Sequence, residues 1–111
     1  MSMTKVLQEM GCEMEETMER FMDDQEFYVE CFQKFIEGKE IENLGEIIDS
    51  GDIEEAFTRA HTLKGTLGNL GLTPVYDQIV VIVEFLRKED MQQASERYQL
   101  LMKEWERYKN L

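Results

Sequence analysis

The sequence predicts an all-α fold: an up-down antiparallel four-helix bundle with one or two short extra helices at its amino-terminal end. The chain has 111 residues and a single proline. Its apolar residues recur every three or four positions and its glycines fall between these repeats, which is typical of amphipathic helices with short connections. Four long helices of this kind pack as an antiparallel bundle. At roughly 150 residues per domain, we expect one domain over residues 1–111.

The first third of the chain predicts two short helices. Methionines recur at intervals of four residues after Leu7, and Gly11 divides them between a first helix and a second that begins near Glu13. These methionines are Met10, Met14, Met18 and Met22. We interpret them mainly as core residues, because methionine fills irregular gaps between helices. An adaptable binding surface is the alternative.

A third helix is predicted to start near Asp24. Its apolar face consists of Tyr28, Phe32, Phe35 and Ile36. We expect this helix to bend around Gly38 and to continue as far as Ser50. Gly51 then ends it, since glycine readily adopts the left-handed conformation that closes a helix.

Start signals place the two helices that follow. Asp52 with Glu55 has the form of a capping box, which predicts a helix that runs to about Leu70 and ends before Gly71. Residues 73–74, Thr-Pro, have the form of an N-cap and a proline at the first helical position. The next helix is therefore predicted from Pro74 to about residue 87, although the β-branched run 79–83 alone would favour a strand.

Asp90 is predicted to cap the last helix. The apolar residues that follow it alternate steps of four and three, as one face of a helix requires. They are Ala94, Tyr98, Leu101, Trp105 and Tyr108.

The charge of the chain excludes several classes of partner. There are 24 acidic residues and 12 Lys plus Arg, so the net charge is −12. We expect no nucleic-acid binding, which rests on clustered Lys and Arg, and no binding to anionic membranes. The longest apolar run, 79–83, is far shorter than the ~20 residues of a membrane-spanning helix, and from the first residues of the sequence we expect no export signal. With only two cysteines, a cytoplasmic location is expected.

Most catalytic constellations are missing from the sequence. It has no Gly-x-Ser-x-Gly elbow and no second histidine for a zinc site, so we expect no bound metal and no cofactor. The glycine-spaced segment 65–71 matches neither a Walker loop nor a dinucleotide fingerprint, and no strand precedes it.

His61 is the remaining candidate for a functional side chain. On a helical wheel the apolar residues of its helix form one face, and His61 lies on the opposite shoulder with Gly65 and Gly68 beside it. Each glycine costs ~1 kcal/mol relative to alanine within a helix, which indicates that the bare backbone serves another purpose, namely access for a large partner. Lys64, one turn along, would attract negative charge on the imidazole by roughly 0.7–3 kcal/mol per charge at ~6 Å.

The segment 60–71, Ala-His-Thr-Leu-Lys-Gly-Thr-Leu-Gly-Asn-Leu-Gly, resembles the motif of histidine-containing phosphotransfer (HPt) domains, which are helical bundles of two-component phosphorelays. The resemblance implies that His61 accepts a phosphoryl group from an aspartyl phosphate on a receiver domain and passes it to another receiver. It also implies that Lys64 balances the phosphate charge and that Gly65 gives steric access. The protein would be a phosphocarrier without kinase activity, and Mg²⁺ would be bound by the receiver partner only.

The resemblance also implies partners and a docking surface. The partner would be the receiver domain of a response regulator, of a hybrid histidine kinase, or of both, and we expect the chain itself to be a monomer. The residues expected to contact the receiver are Leu7, Met10, Phe57, Thr58 and Gly68. Gly71 matches the glycine at the end of the family's active-site helix.

One position departs from the family pattern. Many members carry a Glu or Gln on the next helix that hydrogen-bonds the histidine ring, whereas the aligned residue here is Val83, with Glu84 adjacent and Gln78 more than a turn earlier. Two alternatives therefore stay open beside the phosphocarrier. One is an adaptor on the same fold that docks a receiver or kinase without carrying phosphate, and the other is a helical adaptor unrelated to phosphorelays.

Overall fold

The structure, a computed structural model, describes residues 2–111, which form seven α-helices without a strand. Met1, the first residue of the predicted domain, lies outside the described residues. The helices are α1 (Met3–Glu9), α2 (Glu15–Arg20), α3 (Gln25–Glu37), α4 (Glu40–Ser50), α5 (Ile53–Asn69), α6 (Thr73–Arg87) and α7 (Met91–Trp105). The predicted all-α fold is confirmed.

Helices α4 to α7 form a closed four-helix bundle. The connections between them are residues 51–52, 70–72 and 88–90, which are short enough to make each helix antiparallel to the one before it. Helix α5 packs against α4 and α6, α6 packs against α7, and α7 returns to α4. This is the predicted up-down arrangement, preceded by the short helices α1 and α2 and by α3.

The predicted bend at Gly38 is instead a break between α3 and α4. Lys39 has a φ of 52°, in the left-handed region, and a right-handed helix cannot pass through such a residue. The aspartate caps of the other helices are confirmed. Asp52 accepts a hydrogen bond from the N–H of Glu55 at 3.1 Å, and Asp90 caps α7 in the same way.

The amino-terminal helices attach to the carboxyl end of α5. The Arg20 guanidinium donates hydrogen bonds to the carbonyl oxygens of Gly68 and Asn69, each at 3.0 Å. The buried Tyr28 hydroxyl donates to the carbonyl oxygen of Leu70 at 2.6 Å. These carbonyls belong to the last turn of α5 and to its C-cap, where the regular hydrogen bonds of the helix end, and the Gly68 carbonyl also accepts a hydrogen bond from the Gly71 N–H at 3.2 Å. Side chains of α2 and α3 thus bind the end of α5.

The turn between α5 and α6 also depends on Gly71. Its φ is +72°, and a Cβ atom at this position would overlap the Thr17 hydroxyl and the backbone of Glu13. The predicted N-cap role of Thr73 is wrong, because Thr73 is the first residue of α6. Its hydroxyl already accepts a hydrogen bond from the Glu13 N–H at 3.0 Å and donates to the Gly71 carbonyl at 3.2 Å, so it holds the turn and does not cap the helix. Pro74 is therefore the second helical residue.

Gly45 allows α4 and α7 to approach each other closely. The Tyr98 hydroxyl on α7 donates a hydrogen bond to the carbonyl oxygen of Ile41 at 2.8 Å, and burial raises the pKa of Tyr98 to about 12. A Cβ atom at Gly45 would lie 2.5 Å from this hydroxyl oxygen and 2.7 Å from two ring carbons. The buried ring has little room to move away, since it is fixed at its hydroxyl end.

We predict that Gly45→Ala destabilises the bundle. The alanine gains ~1 kcal/mol of helix propensity, but the clash with Tyr98 costs more, so the free energy of unfolding should fall by about 1–3 kcal/mol. Urea denaturation followed by circular dichroism measures this change.

Gly65→Ala is the matched control, because a Cβ atom at Gly65 meets nothing within 4 Å. It should raise the free energy of unfolding by about 0.5–1 kcal/mol. If both alanines stabilise the protein, the tight contact between α4 and α7 is contradicted.

Candidate functional site

Helix α5 is buried along one side only. Its buried residues are Ala56, Ala60, Leu63 and Leu67. The opposite side carries His61, Thr62 and Gly65, all exposed. The structure therefore shows the His61 imidazole off the core face, as predicted. The ring is exposed to solvent.

His61 belongs to a cluster with Phe57 on the same helix and Arg87 on α6, which we call the His61 cluster. The ring centroids of His61 and Phe57 lie 6.0 Å apart with an interplanar angle of 33°. The central guanidinium carbon of Arg87 lies 5.2 Å from the centroid of the Phe57 ring, within the range of a cation–π interaction. Arg87 is also ion-paired with Glu84 at 3.4 Å.

No side chain among residues 2–111 forms a hydrogen bond with the His61 imidazole. The three threonine hydroxyls of α5 donate instead to backbone carbonyls four residues earlier: Thr58 to Glu54 at 3.1 Å, Thr62 to Thr58 at 3.1 Å, and Thr66 to Thr62 at 3.3 Å. These bonds occupy the donors nearest to His61 on its own helix.

Helix α6 supplies no hydrogen bond to the ring either. Val83 is fully buried and apolar, and the Glu84 carboxylate is paired with Arg87. Gln78 keeps a buried side-chain oxygen without a hydrogen-bond partner in the described chain. Neither Glu84 nor Gln78 therefore supplies the hydrogen bond to the His61 ring that Val83 cannot make.

Lys64 is a half-buried cation one turn after His61. No carboxylate of residues 2–111 lies within the 4.0 Å of an ion pair from its ammonium group. Arg59, on the same helix, is committed to Glu55 at 3.2 Å. Among the described residues, the Lys64 ammonium group is therefore without an ion-pair partner.

The two glycines of α5 have different reasons to be glycine. A Cβ atom at Gly65 would meet nothing within 4 Å, whereas one at Gly68 would lie 3.3 Å from a ring carbon of Tyr76. Gly68 thus makes room for the packing of α6. From the sequence alone, this glycine was instead explained by access for a partner. The bare backbone at Gly65 has no packing reason within the described chain and leaves space beside His61.

The residues predicted to contact a partner do not form one compact patch. Leu7 is fully buried, so its predicted contact is corrected: the residue belongs to the core. Met10 is half-buried, and its neighbour Gly11 lies against Pro74 at the start of α6. Phe57 on α5 lies against Arg87, which is at the opposite end of α6 from Pro74. The two ends of α6 are about 20 Å apart, at 1.5 Å per residue. Thr58, next to Phe57, is exposed.

Sequence reasoning missed Arg87. The family resemblance aligns Val83 with His61, and in antiparallel helices this alignment would place the residue one turn after Val83 beside the residue one turn before His61. That argument would have placed Arg87 next to Phe57, but it requires the register of two helices to be known.

The described residues contain no group of three or more His, Cys, Asp or Glu side chains arranged to hold a metal ion. None of the helices in residues 2–111 combines the length and apolar character needed to cross a membrane.

Comparison with known families identifies the chain. The family model described as Hpt domain matches residues 13–110, which is nearly the whole chain and includes all of α2 to α7. No curated protein and no solved structure matches at a significant level. The exposed histidine on a helical bundle agrees with the family match, and the chain belongs to the Hpt domain family, the histidine phosphotransfer modules of two-component signalling.

Proposed function

We propose that this Hpt domain is a phosphocarrier of a phosphorelay, in which His61 accepts a phosphoryl group from an aspartyl phosphate on one receiver domain and passes it to another. The observation that carries the proposal is the position of the chain's one histidine. It is exposed on α5, with open space at Gly65 one turn along the helix and with Lys64 three residues after His61, whose ammonium group has no ion-pair partner among residues 2–111.

The transfer requires little of the carrier beyond position and charge. The imidazole nitrogen that bears no hydrogen attacks phosphorus, a nitrogen–phosphorus bond forms, and the bond from phosphorus to the aspartate oxygen breaks. The aspartate leaves as a carboxylate, and the other ring nitrogen keeps its hydrogen. Phosphoryl transfer depends mainly on alignment and on stabilisation of charge, which an exposed ring and a nearby cation can provide.

Lys64 is proposed to stabilise the phosphorylated state. A phosphoryl group carries about −1.5 to −2 charges at neutral pH, and the ammonium of Lys64 is not neutralised by a carboxylate of the described chain. Because the site is exposed, the attraction belongs at the lower end of the range set by solvent screening.

The proposed partners are the receiver domain of a response regulator, of a hybrid histidine kinase, or of both. The receiver would supply the phosphoaspartate and the Mg²⁺ that its chemistry uses, and the carrier would supply neither a kinase activity nor a cofactor. The surface offered to the receiver centres on the exposed side of α5, including Thr58 and Gly65, with Phe57 at its edge. Leu7 has no part in it. We further propose a monomeric carrier, located in the cytoplasm and without affinity for nucleic acid.

A docking adaptor that binds receivers without taking phosphate is the second candidate. The observation that favours it is the absence of a hydrogen bond to the His61 ring from the described residues, with Val83 at the aligned position. An imidazole held less firmly would transfer phosphate more slowly.

His61→Gln should abolish phosphate uptake and leave the fold intact, because the side chain lies outside the core. Intact-mass spectrometry at neutral to alkaline pH, after incubation with receiver domains phosphorylated by acetyl phosphate in Mg²⁺, measures uptake. The wild-type protein should gain one acid-labile phosphoryl group. Uptake by the variant would contradict the assignment of His61, and a wild-type protein that binds receivers but gains no mass would favour the docking adaptor.

Lys64→Ala should slow phosphate transfer to His61 by roughly threefold to tenfold, which corresponds to the ~0.7–1.4 kcal/mol of screened attraction lost. The melting temperature should change little. Single-turnover transfer from the phosphorylated receiver, with rapid quenching, gives the rate. Lys103→Ala, which removes an exposed charge on α7, is the control and should transfer at the wild-type rate; an equal loss in both variants would assign the effect to overall charge.

Gly65→Leu should block receiver binding while the bundle stays folded, since the added side chain points into open space. Gly65→Ala should reduce binding less, because it adds only a methyl group. Isothermal titration calorimetry with the receiver measures the affinities. A leucine variant that binds as tightly as the wild type would remove Gly65 from the interface.

A further inference from the structure

We propose that Phe57 is a positioning residue that orients the imidazole ring of His61, and that Arg87 holds Phe57 in place. The inference rests on the proposed function, in which this ring is the phosphoacceptor. It assigns to an aromatic contact the orienting role that no hydrogen bond from residues 2–111 performs.

The need for such a contact follows from the surroundings of His61. Its side chain is exposed, and rotation about the bond to an imidazole ring is soft. Residues 2–111 give the ring no hydrogen bond: Val83 is apolar and buried, Glu84 is paired with Arg87, and the Thr58 hydroxyl is bonded to the backbone. A ring without any restraint would spend little time with its nitrogen aligned for attack on phosphorus.

Phe57 provides a restraint of the right kind. It precedes His61 by four residues, so the two side chains are neighbours on one face of α5. Their centroid distance of 6.0 Å and angle of 33° lie within the range of attractive aromatic pairs. Rotation of the imidazole would change this contact, so the pairing favours a limited set of ring orientations.

Phe57 is itself fixed from the side of α6. It packs against the hydrophobic core and lines a surface groove together with Leu86 and Arg87, and the Arg87 guanidinium carbon lies 5.2 Å from its ring centroid. The ion pair with Glu84 at 3.4 Å, one turn earlier on α6, restricts Arg87 in turn. Orientation is thereby passed from α6 to His61 through side-chain packing.

The first measurement is made on the unphosphorylated protein. Phe57 should shift the NMR signals of the His61 ring protons by its ring current, and the single histidine makes their assignment unambiguous. Phe57→Leu, which keeps an apolar side chain at this position, should move these signals towards free-histidine values. Phe57→Tyr should keep them near the wild-type positions.

The second measurement separates positioning from docking. Single-turnover phosphotransfer at saturating receiver should be about tenfold slower in Phe57→Leu, because misalignment of reacting groups costs rate directly, and Phe57→Tyr should restore it. The dissociation constant of the receiver is measured in parallel, because Phe57 lies at the edge of the proposed docking surface, and saturation removes any loss of affinity from the rate. If Phe57→Leu weakens binding but transfers at the wild-type rate at saturation, Phe57 is a docking contact and the inference is wrong.

Arg87 has a matched control within the chain. Arg107 also lies over an aromatic ring, that of Tyr108 at 5.9 Å, and is paired with a glutamate three residues earlier. Arg87→Gln should both shift the His61 signals and slow phosphotransfer, each to a smaller extent than Phe57→Leu. Arg107→Gln should change neither the His61 signals nor the rate. Equal effects of the two variants would overturn the role of Arg87.

The two proposals fail in different ways. A wild-type protein that takes no phosphate ends the proposed function and the positioning role with it. A wild-type protein that takes phosphate, together with a Phe57→Leu variant whose His61 signals and saturating rate are unchanged, ends this inference alone.

Discussion

The carbonyl groups at the carboxyl end of α5 need hydrogen-bond donors, and much of the structure depends on how they obtain them. Arg20 and Tyr28 reach these carbonyls from α2 and α3, and the backbone of Glu13 reaches the carbonyl of Gly71 in the turn that follows. The Leu70 carbonyl is bound in a buried contact, and a buried carbonyl without a donor would cost about 1–3 kcal/mol. The amino-terminal third of the chain therefore stabilises the end of the histidine-bearing helix and the turn into α6, together with the backbone hydrogen bond from the Leu72 N–H to the Leu67 carbonyl.

Helix α5 has one side that packs into the core and an opposite side that is exposed and carries His61. The buried side carries small and apolar residues that pack against α4 and α6, whereas the exposed side carries His61 beside a glycine that packing does not require. The chain as a whole is acidic, yet Lys64 on this helix has no ion-pair partner among the described residues, whereas Arg87 is paired with Glu84. Charges more than about 8 Å away are largely screened at physiological salt, so the field at the imidazole depends more on the charges close to it than on the net charge of the chain.

The sequence by itself determined the features that depend on neighbours along the chain. Asp52 and Asp90 cap the helices predicted for them, because capping involves a side chain and a backbone N–H only three residues away. The exposure of His61 followed from helical periodicity, which needs no knowledge of other helices. The family motif is local in the same sense, since His61, Lys64 and Gly65 lie within a single turn of one helix.

Only the tertiary structure decided the features that depend on how helices pair. Leu7 is buried where a partner contact was expected, Gly68 makes room for Tyr76, and Arg87 reaches Phe57 across the interface of α5 and α6. Each outcome depends on the register between helices, which is set by the fit of all side chains in the bundle and not by any short segment. The sequence therefore determined that His61 is exposed on its helix, and the packing of the helices decided which side chains surround it.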